Sequence, residues 1–186
     1  THAFKILSHP QLYFEQHPSS DRLLEIIRVI SDAAGIDGMV EGQMLDTHGE
    51  TNIISGNKDE LLDHLKRIHH LKTGRLIQAS VVSGALSADA DPALISYLSE
   101  YANNIGLAFQ VYDDILNVEG DPEIMGKAVG SDRELEKLTF PYLIGLDESK
   151  RYAKKLISSA LDSLDNFDSK AEPLRQIAQY IINRTH

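Results

Sequence analysis

The 186-residue sequence contains no cysteine. That excludes a disulfide framework and any thiolate chemistry. Cationic residues are scarce beside anionic ones, 18 Lys and Arg against 28 Asp and Glu, for a net charge of −10. A nucleic-acid surface needs clustered Lys and Arg and is not expected here, although a local cationic pocket for an anionic substrate is still allowed. No apolar run is long enough for a transmembrane helix, and no signal-peptide pattern stands at the start of the sequence. A soluble, cytoplasmic protein is the expectation. Strand-like alternation beyond a few residues is lacking, as are internal repeats and low-complexity linkers. The eight histidines show no metal-ligand spacing. His69 and His70 are neighbours, which on a helix would face different directions, and both read as surface residues.

What is present is helical periodicity. Apolar residues recur at three- and four-residue steps over nearly the whole length, which predicts an all-α protein. Ser20 is a fair N-cap for a helix to about Ala34, with Leu23, Leu24, Ile27 and Ile30 as its buried stripe. A short helix follows around Met39 to Leu45, and residues 46–57 read as a loop. Asn57 should cap a long helix to about Leu86, with Asp59 and Glu60 well placed in its first turn. Asp91-Pro92 is a cap and first-turn proline opening another long helix to about Val118. Residues 121–140 read as a loop. Further helices start at Pro141, Asp147 and Pro173, the last ending near Arg184. The length suits one domain or a large part of one.

One segment stands out. Gly106-Leu-Ala-Phe-Gln-Val-Tyr-Asp-Asp-Ile-Leu-Asn117 sets two adjacent acids, Asp113 and Asp114, in an otherwise apolar helix. A helix apolar nearly all round is buried, and buried acids need a cationic partner or a metal. Gln110, Asp113, Asp114 and Asn117 should share one side, offering oxygens that suit a hard cation such as Mg²⁺. The plainer reading is a solvated acidic turn on a surface helix.

Two further segments could meet an anion. Lys72-Thr73-Gly74-Arg75 places a glycine mid-helix, at a cost of about 1 kcal/mol relative to alanine. A close approach of a ligand or a helix distortion would explain it; a packing glycine between exposed cations is the plainer reading. Gly126-Lys127 followed by Gly130-Ser131-Asp132 could cradle phosphate through backbone N–H groups and a lysine, although many loops contain Gly-Lys. Gly38-Met39 and Gly42-Gln43-Met44-Leu45-Asp46 form another polar–apolar patch.

As an ordered set these segments resemble the trans-isoprenyl diphosphate synthases, the polyprenyl synthetase family, most closely the bacterial farnesyl diphosphate synthase (geranyltranstransferase) type. The resemblance rests on Gly38-Met-x-x-Gly-Gln-x-Leu-Asp46, Lys72-Thr-Gly74, Phe109-Gln-x-x-Asp-Asp-Ile-Leu-Asn117, Gly126-Lys127 and Lys137-Leu-Thr-Phe-Pro141, and runs from about residue 1 to the end. It implies a helical bundle around a deep apolar cavity. It also implies head-to-tail condensation of an allylic diphosphate with isopentenyl diphosphate, assisted by Mg²⁺. Asp113 would be a direct Mg²⁺ ligand, with Asp114 and Asp132 acting directly or through water. Lys72 and Lys127 would grip the allylic diphosphate. Thr73 and Gln110 would turn oxygens toward the developing cation. Gln43 would lie near the reacting carbons, and Phe109 would line the isopentenyl side. The resemblance further implies a homodimer formed through helices before residue 36.

Two departures accompany it. Asn117 stands where the family often has a further Asp, which keeps an oxygen but loses a charge. The family's first aspartate-rich motif would lie upstream of Thr1. Residues 1–186 are therefore expected to be the C-terminal part of a single prenyltransferase domain, with little activity alone. A non-catalytic helical subunit that binds a partner synthase, and a terpene cyclase, are the alternatives. Asp113, Asp114, Lys72 and Lys127 favour a catalytic parent over the first. Lys72-Thr-Gly74 and Gly126-Lys127 favour a synthase over the second.

Overall fold

A computed structural model describes residues 2–49, 57–119 and 138–184, all of them in helices or the turns between helices. The first part comprises α1 (His2–Ser8), a short 3₁₀ turn (Pro10–Leu12), α2 (Ser20–Ala34) and α3 (Met39–Gly49). Next come α4 (Lys58–His69), a π-helical turn (His70–Gly74) and α5 (Arg75–Ser87), which form one continuous rod. The last part comprises α6 (Pro92–Glu119), α7 (Phe140–Ile144), α8 (Leu146–Asp162), a 3₁₀ turn (Ser169–Ala171) and α9 (Glu172–Asn183).

The caps follow from local chemistry. Asn57 Oδ1 accepts the N–H groups of Asp59 and Glu60, and Glu60 accepts the N–H of Asn57, so orphan donors at the start of α4 are satisfied reciprocally. Asp91 accepts the N–H of Ala93 ahead of Pro92. Ser19, one residue before the expected cap, accepts the N–H of Arg22. Thr139 caps α7, and Gly145 at φ +84° makes the turn into α8, a conformation that favours glycine.

Helix α6 is the axis of the assembly. It packs on α8 and α9 along one side and on α5 and the π-turn along the other. Small residues let the neighbours come close: Ala102 and Ala108 are fully buried, and both lie in one core cluster with Tyr101, Ile105, Ile157, Ala160, Leu164, Ala178 and Ile181. The Tyr101 hydroxyl donates to the Leu174 carbonyl at 2.7 Å, tying α9 to α6. A second cluster joins Leu65, Val111, Ile115, Phe140 and Ala153, so α4, α6, α7 and α8 meet at the C-terminal half of α6.

Three expectations need correction. Helix α3 runs to Gly49, past Leu45, so residues 46–49 are helical and not loop. Leu24 is 65% exposed; Leu23, Ile26 and Ala33 are the buried residues of α2. His69 is buried, because Phe140, far away in sequence, covers it.

Candidate active site

The π-turn is the local feature around which the site is built. Its widened turn has the Arg75 N–H donating to the His70 carbonyl, five residues back. Turns of this kind interrupt the regular ladder and recur at functional sites. Helix α3 crosses on one side of it. A Cβ added at Gly42 would lie 2.2 Å from the Lys72 backbone nitrogen, so only glycine permits this crossing. Helix α6 crosses on the other side, where a Cβ at Gly106 would lie 3.0 Å from the Gly74 Cα. The close approach therefore requires glycine at 106; a Cβ at Gly74 would meet only the His70 ring at 3.4 Å and the His69 carbonyl at 3.7 Å.

Two contacts fix how the rod and α6 run past each other. Gly74 meets Gly106, and His69 Nε2 lies 3.4 Å from Asp114 Oδ2. The pair is antiparallel. Lys72 and Thr73 therefore lie level with the stretch of α6 between Gly106 and Asp114, which contains Phe109, Gln110 and Asp113. Gly106, Gln110 and Asp113 recur at helical spacing and share one stripe of α6. Across the π-turn, Lys72 Nζ donates to Asp46 Oδ2 of α3 at 2.7 Å, both side chains keeping about a quarter of their surface open. Gln43 is exposed on α3, one turn before Asp46. The structure so brings Gln43, Lys72, Thr73, Phe109, Gln110 and Asp113 onto three adjoining segments. Lys127 and Asp132 lie outside the described residues.

The two adjacent acids do not share an environment. Asp114 is buried, and its Oδ2 accepts the Phe140 N–H at 2.9 Å beside His69. His69 stacks on Phe140 with ring centres 5.7 Å apart, and Phe140 stacks on Tyr152 at 5.5 Å. Burial raises the Tyr152 hydroxyl above its ordinary range. Asp113 keeps 44% of its side chain open, with an Arg184 guanidinium nitrogen 3.5 Å away. The expected single face of four oxygens is therefore divided: Asp114 and Asn117 are buried, whereas Gln110 and Asp113 are partly open.

Arg184 is the residue that sequence reasoning missed. It follows α9, and an arginine at a helix end is commonly just a partner for the helix dipole. Here its side chain is only 9% exposed. The guanidinium carbon lies 4.1 Å from the centre of the Phe109 ring, and Nη2 donates to the Phe109 carbonyl at 3.3 Å. No signal within the sequence around it marks this contact, which spans 75 residues.

The donor set can be tested against a divalent cation. Asp113 has an open carboxylate and Gln110 stands one turn away, which suits a cation that retains water and takes further oxygens from a ligand. Asp114 is committed to Phe140 and His69 and fits as a support. No group of three or more acidic or histidine ligands is assembled among the described residues. A cleft of about 410 Å³ between α2, α5 and α6, lined in part by Asp32, Arg75, Gln78 and Ser99, includes none of these site residues.

Comparison with known proteins decides what frame this geometry belongs to. The sequence model of the Polyprenyl synthetase family matches residues 2–181. The chain belongs to the polyprenyl synthetase family. Among curated members, it is 45% identical over 167 residues to a dimethylallyltranstransferase of Fischerella ambigua, covering 90% of this chain and 47% of that protein. It is 42% identical over 188 residues to the farnesyl diphosphate synthase of Escherichia coli, covering 99% of this chain and 60% of that one. Among solved members, the geranyltransferase of Helicobacter pylori complexed with magnesium and isoprenyl diphosphate superposes with a TM-score of 0.74 at 31% identity, over 98% of this chain and 56% of that one. The all-α expectation is borne out: every element among the described residues is helical, and they superpose on this family structure. The chain spans roughly half the length of the relatives it matches. No helix among the described residues is long and apolar enough to cross a membrane.

Proposed function

We propose that the protein carrying this chain is a prenyltransferase that joins an allylic diphosphate, dimethylallyl or geranyl, to isopentenyl diphosphate, head to tail, giving a short-chain product such as farnesyl diphosphate. Residues 1–186 would then be the C-terminal part of its single catalytic domain. The observation that carries this reading is the π-turn. It puts Lys72 and Thr73 beside the Gly106–Asp114 stretch of the neighbouring helix, which carries Gln110 and Asp113, within a family whose matched members are named for such transfers.

Mg²⁺ is the cofactor of this proposal, and when bound it supplies positive charge for the diphosphate that leaves. Asp113 would hold it, and Asp114, anchored on Phe140, would fix the helix turn that presents Asp113. Lys72 would exchange Asp46 for the allylic diphosphate, a charge-assisted contact that stabilises the leaving group. The carbon–oxygen bond breaks, and its electron pair departs with pyrophosphate. Thr73 and Gln110 would face oxygens toward the allylic cation left behind. The double bond of isopentenyl diphosphate then attacks, with Phe109 beside it and Gln43 near the reacting carbons, and a proton is lost to pyrophosphate. Lys127 and Asp132 belong to the same proposal as a second diphosphate-binding lysine and a further acid. A cytoplasmic homodimer is part of it.

The test is product formation from labelled isopentenyl diphosphate and geranyl diphosphate by the protein at its natural length with Mg²⁺. Asp113→Ala and Lys72→Ala are each expected to lower turnover by about 10²-fold or more. Unchanged turnover in both variants would overturn the assignment. The 186-residue chain alone should give little or no product.

A further inference from the structure

Arg184 is held by an aromatic ring, a backbone carbonyl and the acid beside it. Its guanidinium is seated over the Phe109 ring at 4.1 Å and lies 6.0 Å from the Tyr112 ring centre. Its hydrogen bond goes to the Phe109 carbonyl at 3.3 Å, and Asp113 Oδ1 stands at 3.5 Å. Its Nε is buried without a partner. A side chain only 9% exposed that keeps its charge needs a counter-ion, and Asp113 is the acid the structure places there. Asp113 is meanwhile open enough to accept something else.

From this arrangement we infer that Arg184 is an internal counter-ion of Asp113, a cation held by the chain itself, which a divalent cation must displace. The inference rests on the reading of Asp113 as a cation ligand. Two cations cannot share one carboxylate at such distances without repelling each other. Binding of a divalent cation at Asp113 would therefore drive the guanidinium off its seat. Arg184 directly follows α9, so the last turn of that helix, around Ile181 and Asn183, would loosen as the cation arrives. Occupancy of the acid and order at the end of α9 are thus coupled with opposite sign. Arg184 is a positioning residue in this scheme; its partners are Phe109 and Asp113, not substrate.

Mn²⁺ alone, followed by electron paramagnetic resonance on the purified protein, tests the coupling without any turnover assay. Arg184→Gln is expected to bind Mn²⁺ about tenfold more tightly than the unmodified protein. Arg184→Lys, which keeps the charge, should stay close to it. Saturating Mn²⁺ should raise amide hydrogen exchange in residues 180–184 of the unmodified protein and leave residues 101–108 of α6 unchanged. Equal or weaker Mn²⁺ binding by Arg184→Gln, in a protein where Asp113→Asn abolishes that binding, would overturn the counter-ion role and leave the Asp113 assignment standing. Mn²⁺ binding unaffected by Asp113→Asn would overturn both. Circular dichroism melts of each variant establish that it is folded before titration.

Discussion

The buried carboxylate of Asp114, in the C-terminal part of α6, accepts the backbone N–H of Phe140, 26 residues on, at 2.9 Å. This bond starts α7 and seats the Phe140 ring between His69 and Tyr152. Charged groups make the stronger hydrogen bonds, and a buried donor left without a partner carries a desolvation penalty. Asp114→Ala is therefore expected to destabilise the fold by about 2–4 kcal/mol. Asp113→Ala removes a half-exposed acid and leaves the Arg184 guanidinium seated on the Phe109 ring and carbonyl, so it should cost less, about 1–2 kcal/mol. Urea denaturation of both variants measures the contrast; equal losses would mean that the two acids are not divided as described.

Glycine substitutions separate a required close approach from an unused one. Gly42→Ala would drive a methyl group to within 2.2 Å of the Lys72 backbone nitrogen, so α3 or the π-turn must move. A loss of about 3 kcal/mol or more is expected, in the range of severe overpacking. Gly84 in α5 has nothing within 4 Å of an added Cβ. Gly84→Ala should be stabilising by about 0.5–1 kcal/mol through helix propensity. Thermal melts of the two variants should thus move in opposite directions.

Burial pushes the Tyr101 hydroxyl up to about 12 from its ordinary 10. Its contribution to stability is fully present below pH 10, where the unfolded phenol is also protonated, and is lost as pH rises through 12. The loss approaches about 3 kcal/mol at most. Tyr101→Phe removes the bond to the Leu174 carbonyl but also this alkaline sensitivity. Denaturation at pH 8 and pH 11 should show a smaller decline in Tyr101→Phe than in the unmodified protein.

The reciprocal cap at Asn57 gives a further check. Asn57→Ala removes the acceptor for two N–H groups at the start of α4. A loss of about 1 kcal/mol is expected, measured as a lower urea midpoint. The Lys58–Leu62 amides should exchange faster in the same variant.

Features with a local cause were legible in the sequence. The Asn57 and Asp91-Pro92 caps come from side chains bonding to backbone two or three residues away, so spacing alone reveals them. The boundary of α3 was less legible, since Thr47 and His48 carry no strong signal of either state. The π-turn is harder still. Gly74 betrays an irregularity, yet that the helix crossing there does so through Gly106 is supplied by the fold. His69 shows the same limit: read alone it is a polar residue on a helix, and it becomes a buried ring only when Phe140 arrives from α7. Asp113 and Asp114 stand together in the sequence, but their division depends on which of them faces α7. Arg184 meets Phe109 across the packed helices, and nothing in its neighbourhood foretells that.

The widened turn at His70–Gly74 also sets a phase. Successive residues of a regular helix are rotated by about 100°, so a π-turn shifts everything after it by roughly one residue's rotation. Ala79, Ala85 and Leu86 are buried in α5 because of where that offset leaves them. Removing one residue from the turn would restore a regular rod and swing those three side chains about a third of the way round the axis. The rod would be straighter by every local measure, and its two halves would no longer address their separate neighbours.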